Sequence, residues 1–464
     1  MTTRRNFLRT AGAFGLASIL PSYCVRPVLG EEAVNDRLQT GHVGLGGMGS
    51  SDAREMSMLS DVRFVCDVDA GRLAAGLKSD VIGTLKGKEL AAHPEGVSDY
   101  RRILDRSDLD VISIGTPDHW HTKIAVEAMQ AGKHVFCQKP LTLTLEENAL
   151  IRRACAKYGK VFQVGTQQRS QRNQFATAAL LVRKGFLGEI QRVTCITDPG
   201  RKSPAIPKAQ VPDGLDWNFW LGQAPVTDFL NADASVTFDP AEMQMPFCRH
   251  HSRFRWWFEY SGGKITDWGA HHVDSALWIL DRQKPERMPT EYHLKNATFL
   301  VPYENGRTKV ENVYNTPIDF EISCRFADGL EMVVISEAQD PNGILIEGTK
   351  GKIHVNRARI AGKVYEEGHH KSFTDEDFST LAYGKPYPGW HKDSFFRCIR
   401  EGGKPISDAT DNTYSMQICH LCNLACRLNR DIHWDTKTEQ IVGDDLAASF
   451  FGRPQRKGFE LPEV

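Results

Sequence analysis

The chain has 464 residues, of which 41% are hydrophobic and 25% are charged, with 57 Lys and Arg against 58 Asp and Glu. This composition is typical of a globular protein with room for two domains, and it excludes disordered and fibrous classes. The first thirty residues carry four arginines and no acid, so the remainder has 53 basic against 58 acidic residues; this mildly acidic balance argues against nucleic acid or an anionic membrane surface as a partner.

The N-terminus carries a twin arginine, Arg4 and Arg5, before a short apolar run at 11–20 that ends at Pro21. The run is too short to span a bilayer, and it is continuous rather than striped, which disfavours a basic amphipathic helix. The pattern resembles a twin-arginine export signal. We therefore expect residues 1–30 to be a cleaved signal peptide, the mature protein to be periplasmic, and no stable membrane insertion to follow.

Residues 36–164 alternate short apolar runs with amphipathic stretches, which is typical of a parallel sheet with crossover helices. The apolar runs are at 42–45, 62–66, 111–115, 135–137 and 161–164. The sequence therefore predicts an α/β N-terminal domain of the doubly wound type.

A glycine-rich turn follows the first apolar run directly. It reads Gly44-Leu45-Gly46-Gly47-Met48-Gly49, a G-x-G-x-x-G motif between a strand and a helix, where helix amides bind a dinucleotide pyrophosphate. Asp67 ends the second run, where a carboxylate accepts hydrogen bonds from the adenosine ribose and favours NAD, while Arg72 leaves NADP open. The alternative is a glycine turn beside a surface Asp.

Two further turns follow the third and fourth apolar runs, at the strand ends where ligands bind in open parallel sheets. The residues that we expect on the cofactor side of the first turn are Thr116, Pro117, His119 and His121. In the second turn Lys139 precedes a proline, which stiffens the backbone and suits a lysine that points one ammonium at cofactor and substrate. The alternative is a solvated surface lysine.

Residues 165–464 show longer alternating strands, at 190–197, 318–326, 331–336 and 343–355, and predict an α+β domain with a largely antiparallel open sheet. Two segments rich in aromatic and basic groups, 216–220 and 249–257, suit either sugar stacking or packing between the domains. Cys419, Cys422 and Cys426 have helical spacing on one apolar face, which favours core packing over a metal site. No metal is predicted.

A glycine-rich entry at 262–263 leads into a helical segment that contains Asp267, His271 and Asp274 at positions i, i+4 and i+7. This spacing places a carboxylate and an imidazole on one helix face as an acid/base pair. The alternatives are a helix cap by Asp267, buried hydrogen-bonding groups, or a metal site, which ranks below hydride chemistry. Lys264 places a positive charge, which is not expected there, directly after these two glycines.

These motifs together, with the segments 66–69 and 131–135, resemble the glucose-fructose oxidoreductase and inositol dehydrogenase (Gfo/Idh/MocA) family over nearly the whole chain after residue 30, in its exported bacterial branch. The resemblance implies a Rossmann domain joined to an open antiparallel sheet, with nicotinamide at the junction. It also implies that Lys139 is similar to the active-site lysine and that Asp267 and His271 match the paired Asp and His. Gln138 stands where the family usually has Glu, and the loss of this negative neighbour predicts a lower pKa for Lys139.

We therefore expect an NAD(P)-dependent oxidoreductase that moves a hydride to or from a hydroxyl-bearing carbon of a sugar, polyol or glycoside. In this hypothesis His271 takes the hydroxyl proton, Lys139 hydrogen-bonds the same oxygen, and Asp267 orients the substrate or supports charge. Export of a folded protein predicts tightly held NAD. The alternatives are a redox glycosidase or lyase that recycles NAD in each turnover, and a non-catalytic sugar or cofactor sensor. An exposed sheet face predicts a homo-oligomer.

Overall fold

The computed structural model describes residues 37–78, 94–232 and 246–464. The predicted signal peptide lies outside these residues. Leu38–Val464 form one compact unit. Among the helices of the described ranges, none combines the length and the apolar character needed to cross a bilayer.

The first sheet has six parallel strands in the order β3-β2-β1-β4-β5-β6. The strands are β1 Gln39–Val43, β2 Asp61–Cys66, β3 Glu95–Val97, β4 Val111–Ile114, β5 His134–Cys137 and β6 Phe162–Val164. Strands β4 and β5 are buried along almost their whole length, because helices cover both faces of such a sheet. The order reverses direction between β1 and β4, which places the turns after these strands at the switch point where ligands bind. The predicted α/β class is confirmed.

Helices connect these strands. They are α1 Gly47–Met56, α2 Ala70–Leu77, α3 Arg101–Leu104, α4 His121–Gln130 and α5 Leu145–Tyr158, with a 3-10 turn at Asp118–Trp120. Thr144 begins α5 by accepting a hydrogen bond from the backbone N–H of Glu147, and Gly159 ends it in the left-handed conformation, as expected of helix caps. The two caps set the ends of α5, which packs against α4.

The second sheet has nine strands in the order β13-β12-β11-β7-β10-β9-β8-β14-β15. They are β7 Ile190–Ile196, β8 Pro289–Thr298, β9 Asp319–Phe326, β10 Glu331–Ile335, β11 Gly343–Gly348, β12 Gly351–Val355, β13 Ile360–Ala361, β14 Ile432–Asp435 and β15 Gln440–Ile441. All of its pairs are antiparallel except β7 with β10. The prediction of a largely antiparallel sheet is confirmed.

One predicted strand, at 343–355, is in fact a hairpin. Gly348 pairs with Gly351 across a two-residue turn, and Gly351 has φ +149°, which favours glycine. The apolar alternation continues on both sides of the turn, so the pattern reads as one long strand.

Several helices of the second half contact this sheet. The helices of this half are α6 Thr177–Arg183, α7 Trp217–Leu221, α8 Gly263–Asp267, α9 Gly269–Ile279, α10 Lys363–Glu366, α11 Asp375–Thr380, α12 His391–Glu401, α13 Ala409–Leu428 and α14 Asp445–Ala448. Among those that contact the sheet are α9, α10, α13 and α14. Helix α13 carries Cys419, Cys422 and Cys426, all of which are buried in the main apolar core, as the core-packing interpretation predicts. Helices α9 and α13 lie against each other, so α9 is held firmly behind the junction of the two sheets.

Candidate active site

The glycine turn after β1 is built from backbone in contact with backbone. Gly44 has φ +86°, and a Cβ on Gly49 would lie 1.8 Å from the Gly44 carbonyl oxygen. A Cβ on Gly115, at the end of β4, would lie 2.6 Å from the Gly49 Cα. Glycine is therefore required at all three positions for α1 to begin directly against β1 and β4.

The N-terminus of α1 is open to a ligand. Gly46 precedes the helix and supplies no side-chain cap, and a Cβ on Gly47 would meet nothing within 4 Å. Met48 is exposed, and a Cβ on Gly46 would lie 2.9 Å from Arg72 Nη1. Uncapped amides with a guanidinium beside them suit a pyrophosphate.

Asp67 ties this turn to the end of β2. Its Oδ2 accepts a hydrogen bond from the Leu45 backbone N–H at 2.8 Å, and its Oδ1 accepts one from Asp69 at 2.9 Å. Burial raises the pKa of this carboxyl, although the two hydrogen bonds act to lower it. Each carboxylate oxygen keeps a second lone pair, so the predicted contact with ribose stays a prediction alongside this observed role.

The four residues predicted to face the cofactor in the turn after β4 have different surroundings in the structure. Thr116 Oγ1 is buried without a hydrogen-bond partner in the described structure, beside Gly44, and Pro117 begins the 3-10 turn. His119 instead places Nε2 at 2.9 Å from the Trp220 carbonyl oxygen, and His121 places its ring nitrogens at 2.7 and 2.9 Å from the carbonyl oxygens of Pro140 and Thr116. Both imidazoles thus connect segments, and their direct contact with a cofactor stays a prediction.

Lys139 and Asp267 form the ion pair at the centre of the site. Lys139, which precedes a cis proline at the end of β5, places Nζ 2.5 Å from Asp267 Oδ1 and 2.9 Å from its carbonyl oxygen. Arg255 Nε lies 3.3 Å from the same Oδ1. Burial alone would raise the pKa of Asp267, but the two cations hold it well below its ordinary value, so the carboxylate is ionised.

The lowered pKa of Lys139 agrees with the sequence-based expectation, but its largest cause is burial rather than the residue before it. Gln138 points away from Lys139 and donates from Nε2 to Asp52 Oδ2 at 2.6 Å. Asp52 is itself buried and paired with Lys392 at 2.8 Å. An amide is required here because it can donate to the carboxylate that already occupies this pocket.

His271 lies on the helix that follows Asp267. Its Nδ1 is buried without a partner in the described structure. Burial, and then the charges of Lys139 and Arg357, lower its pKa well below the ordinary value. The imidazole is therefore neutral and able to accept a proton.

The structure brings Asp267 and His271 to Lys139, but not Asp274, which the spacing had placed on the same helix face. Asp267 ends α8 and α9 begins at Gly269, with Trp268 between them in a helical backbone conformation, and the Asp267 side chain caps neither helix. Asp274 turns into the core and pairs with the buried Arg169 at 2.5 Å.

Two charged residues near the ion pair were missed from the sequence. Asp118 accepts a hydrogen bond from Ser261 Oγ at 2.5 Å, and burial raises its pKa to about 7 despite the nearby charges of Arg255 and Lys139. Asp118 lies in the turn at 116–121, where four other residues were predicted to lie on the cofactor side. Its position in that turn could therefore have identified it from the sequence. Arg255 was noted only as part of an aromatic and basic segment.

The aromatic segments pack mainly against each other. Trp217 stacks on Trp220 with ring centres 4.7 Å apart, and Trp220, Trp256 and Trp257 are buried in one apolar cluster. Packing is therefore the role that the structure shows for these tryptophans.

Comparison with known proteins agrees with this geometry. Residues 38–166 match the NAD-binding Rossmann fold of the Gfo/Idh/MocA oxidoreductase family, and residues 200–461 match the C-terminal alpha/beta domain of the same family. A glycosyl hydrolase family 109 protein of Shewanella baltica is 30% identical over 159 residues, which cover 31% of this chain and 35% of that protein. An alpha-N-acetylgalactosaminidase of Shewanella oneidensis is 28% identical over the same shares. The chain thus spans about a third of the length of these curated relatives.

Solved structures share the fold at lower identity. The WlbA dehydrogenase of Bordetella pertussis, in complex with NADH and UDP-GlcNAcA, is 18% identical with a TM-score of 0.56, over 86% of this chain and 99% of that one. A levoglucosan dehydrogenase in complex with NADH is 19% identical with a TM-score of 0.53, over 85% of this chain and 98% of that one. With both parts of the family pattern present on a fold that has a parallel and a largely antiparallel sheet, the chain belongs to the Gfo/Idh/MocA oxidoreductase family and carries its NAD-binding Rossmann domain.

Proposed function

We propose that the protein transfers a hydride between NAD and a hydroxyl-bearing carbon of a sugar, polyol or glycoside. The observation that carries this proposal is the Lys139–Asp267 contact beside a neutral His271, on the edge of the sheet where the glycine turn opens. An ammonium and a neutral imidazole are the two groups needed to polarise and deprotonate a hydroxyl as its carbon loses hydride.

The residues divide the work as follows. Bound NAD supplies the hydride acceptor. His271 accepts the hydroxyl proton, because burial keeps its imidazole uncharged. Lys139 donates a hydrogen bond to the same oxygen, and Asp267 holds the lysine in place through its 2.5 Å contact.

Replacing Lys139 with Met tests this assignment. The variant should bind NAD and lose substrate oxidation by about 100-fold or more, because the charge that stabilises the developing alkoxide is gone. The matched control is Lys123→Met, which removes a similarly shielded lysine that pairs with Glu127 on α4. An active Lys139→Met variant would reject the assignment.

Tight retention of NAD is supported by the way the second half of the chain closes over the end of β2. The Ala70 backbone N–H donates to Gly214, and the Asp216 N–H donates to Val68. His251 lies 3.6 Å from Asp69. We expect nucleotide to remain after prolonged dialysis and to be released, as NAD, by denaturation; a nucleotide-free purified protein would contradict this.

A redox glycosidase is the second candidate, favoured by the likeness of part of this chain to glycosyl hydrolase family 109 proteins. Such an enzyme oxidises a sugar hydroxyl, eliminates the aglycone, adds water to the resulting double bond and then returns the hydride, so it needs NAD without consuming it. Aryl glycosides should then release phenol with no net NADH, whereas a simple dehydrogenase should accumulate NADH from free sugars.

Export through the twin-arginine route is proposed from Arg4 and Arg5. Replacing both with Lys should leave the precursor in the cytoplasm, and a periplasmic double variant would contradict the proposal. Self-association through the sheet of the second domain is proposed as well; light scattering that gives a monomer mass would oppose it.

A further inference from the structure

More positive charge surrounds Asp267 than the proposed chemistry needs. The four cations near it are Lys139, Arg255, Lys264 and Arg357. Lys139 and Arg255 contact its carboxylate directly. Hydride transfer from a neutral sugar uses only the lysine, so the other cations are unexplained.

Arg357 is placed beside the reacting groups by an aromatic ring. Its guanidinium carbon lies 4.7 Å from the ring centre of Trp268, the residue after Asp267. The centre of the same indole ring is 6.0 Å from that of His271. Stacking holds the plane of the guanidinium and leaves the N–H donors at its edge available.

The loop that presents Arg357 is itself fixed. Asn356 Oδ1 accepts hydrogen bonds from two backbone N–H groups of this turn, at 2.9 and 3.0 Å, and Asn356 Nδ2 donates to the Asn342 carbonyl oxygen. Asn342 Oδ1 lies 2.8 Å from His272 Nε2, on the helix of the proposed base. Arg357 is thus preorganised relative to that helix, which lowers the cost of binding a partner.

No carboxylate of the described ranges lies within ion-pair distance of Arg357. Asp267 is already neutralised by the two cations that contact it, and the exposed Asp198 lies 3.5 Å from Lys264. Asp118, with a pKa of about 7, is only partly ionised at neutral pH. The site therefore keeps an unbalanced positive charge next to its proposed base.

We propose that Arg357, together with Arg255 and Lys264 of the same group of cations around Asp267, binds a carboxylate of the substrate, so that the substrate is a hexuronic acid or its glycoside. This rests on the proposed oxidoreductase function and names the substrate class of the same site. A guanidinium edge presents two parallel donors that match a carboxylate, whereas a hydroxyl rim offers no charge to pair with it.

The test is calorimetric titration of the NAD-loaded protein with methyl hexuronides, the neutral methyl hexosides of the same configuration, and their sulfate esters, in the gluco, galacto and manno series. One hexuronide should bind about 10- to 100-fold more tightly than its neutral counterpart, as expected of charge-assisted hydrogen bonds. Arg357→Gln should remove this preference and Arg357→Lys should keep part of it. The control Arg359→Gln, an exposed arginine on the same turn, should leave it unchanged.

The outcomes separate this inference from the proposed function. Hexuronide binding that depends on Arg357 but gives no turnover supports the inference and overturns the oxidoreductase proposal. Turnover of neutral hexosides with no preference for the acid overturns the inference alone. Tighter binding of a sulfate ester than of any hexuronide, or no binding in any series, also overturns it.

Discussion

The glycine turn at 44–49 and the charged cluster of Lys139, Asp267 and Arg255 lie at the same edge of the first sheet but are built in different ways. The turn has almost no side chains: Gly44, Gly49 and Gly115 bring three backbone segments into direct contact. The cluster consists of side chains, and its two paired members, Lys139 and Asp267, are 128 positions apart in the chain.

This difference predicts which property of the protein a substitution in each region should change. A side chain added at Gly44, Gly49 or Gly115 collides with backbone, which cannot move aside. Such a substitution should therefore reduce both stability and cofactor binding. A change in the cluster alters charge or proton affinity, so it should harm chemistry while the fold persists.

The largest effect on activity is expected from the cluster. His271→Ala should lower kcat by about 10²- to 10⁴-fold, the usual contribution of a general base. The variant should stay folded because His271 Nδ1 has no hydrogen bond to lose, although the cavity left by this buried side chain should lower the melting temperature. The control is His272→Gln, since an amide can still donate to Asn342; equal losses in the two variants would remove His271 from its role.

The turn should show the largest effect on stability. Gly49→Ala places a Cβ 1.8 Å from the Gly44 carbonyl oxygen and should cost about 3 kcal/mol or more of unfolding free energy. Gly47→Ala, at an open position in the same turn, should cost far less. Denaturant unfolding of the pair measures the difference, and two equally stable variants would contradict the packing described above.

Behind the cluster, Gln138→Glu should be destabilising by about 2 kcal/mol, the cost typical of a buried polar pair that has lost its donor. The added carboxylate would face Asp52, to which Gln138 now donates at 2.6 Å. Introducing Asp52→Asn as well should recover much of the loss. A single variant as stable as the native protein would show that the pocket does not require a donor.

The smallest effect is a change of stability with pH. Burial raises the pKa of Asp118 to about 7 from an unfolded value near 3.8, so the folded protein holds the extra proton between these limits. The stability that comes from this proton is fully present below the pKa of Asp118 in the unfolded chain. It is lost as the pH rises through the pKa of Asp118 in the folded protein. Asp118→Asn should therefore gain stability relative to the native protein as the pH rises from about 4 to about 7.

Thermal unfolding across this range measures the effect. The asparagine keeps an oxygen that can accept from Ser261, so the hydrogen bond is not the variable. A constant difference between Asp118→Asn and the native protein at all pH values would contradict the raised pKa.

The same contrast explains what the sequence could predict. The glycine turn, Asp67 and the Lys139 turn follow apolar runs directly, so strand periodicity and local spacing locate them. The family resemblance assigned Lys139, Asp267 and His271 to one site, but the ion pair between Lys139 and Asp267 was not predicted, because nothing in either segment specifies the other. Arg357 and the Asp118–Ser261 bond were not found, since they depend on how distant segments fold together.

Two errors have local causes. Helical periodicity continues across Trp268, so spacing alone merged α8 with α9 and grouped Asp274 with Asp267 and His271, although Asp274 pairs with Arg169 in the core. The alternation at 343–355 likewise hides a tight turn before Gly351. In both cases the hydrophobic periodicity of the sequence continues across the point where the helix or strand ends.

The central claim is that NAD seated on the glycine turn brings its reactive carbon to Lys139 and His271. A crystal structure of the protein with NADH tests this most directly, through the distances from nicotinamide C4 to Lys139 Nζ and to the His271 ring. We predict that both groups lie close enough to reach a hydroxyl on a carbon placed about 3 to 3.5 Å from C4, the separation at which hydride transfer occurs. A nicotinamide ring on the far side of the glycine turn, out of reach of both side chains, would contradict the account.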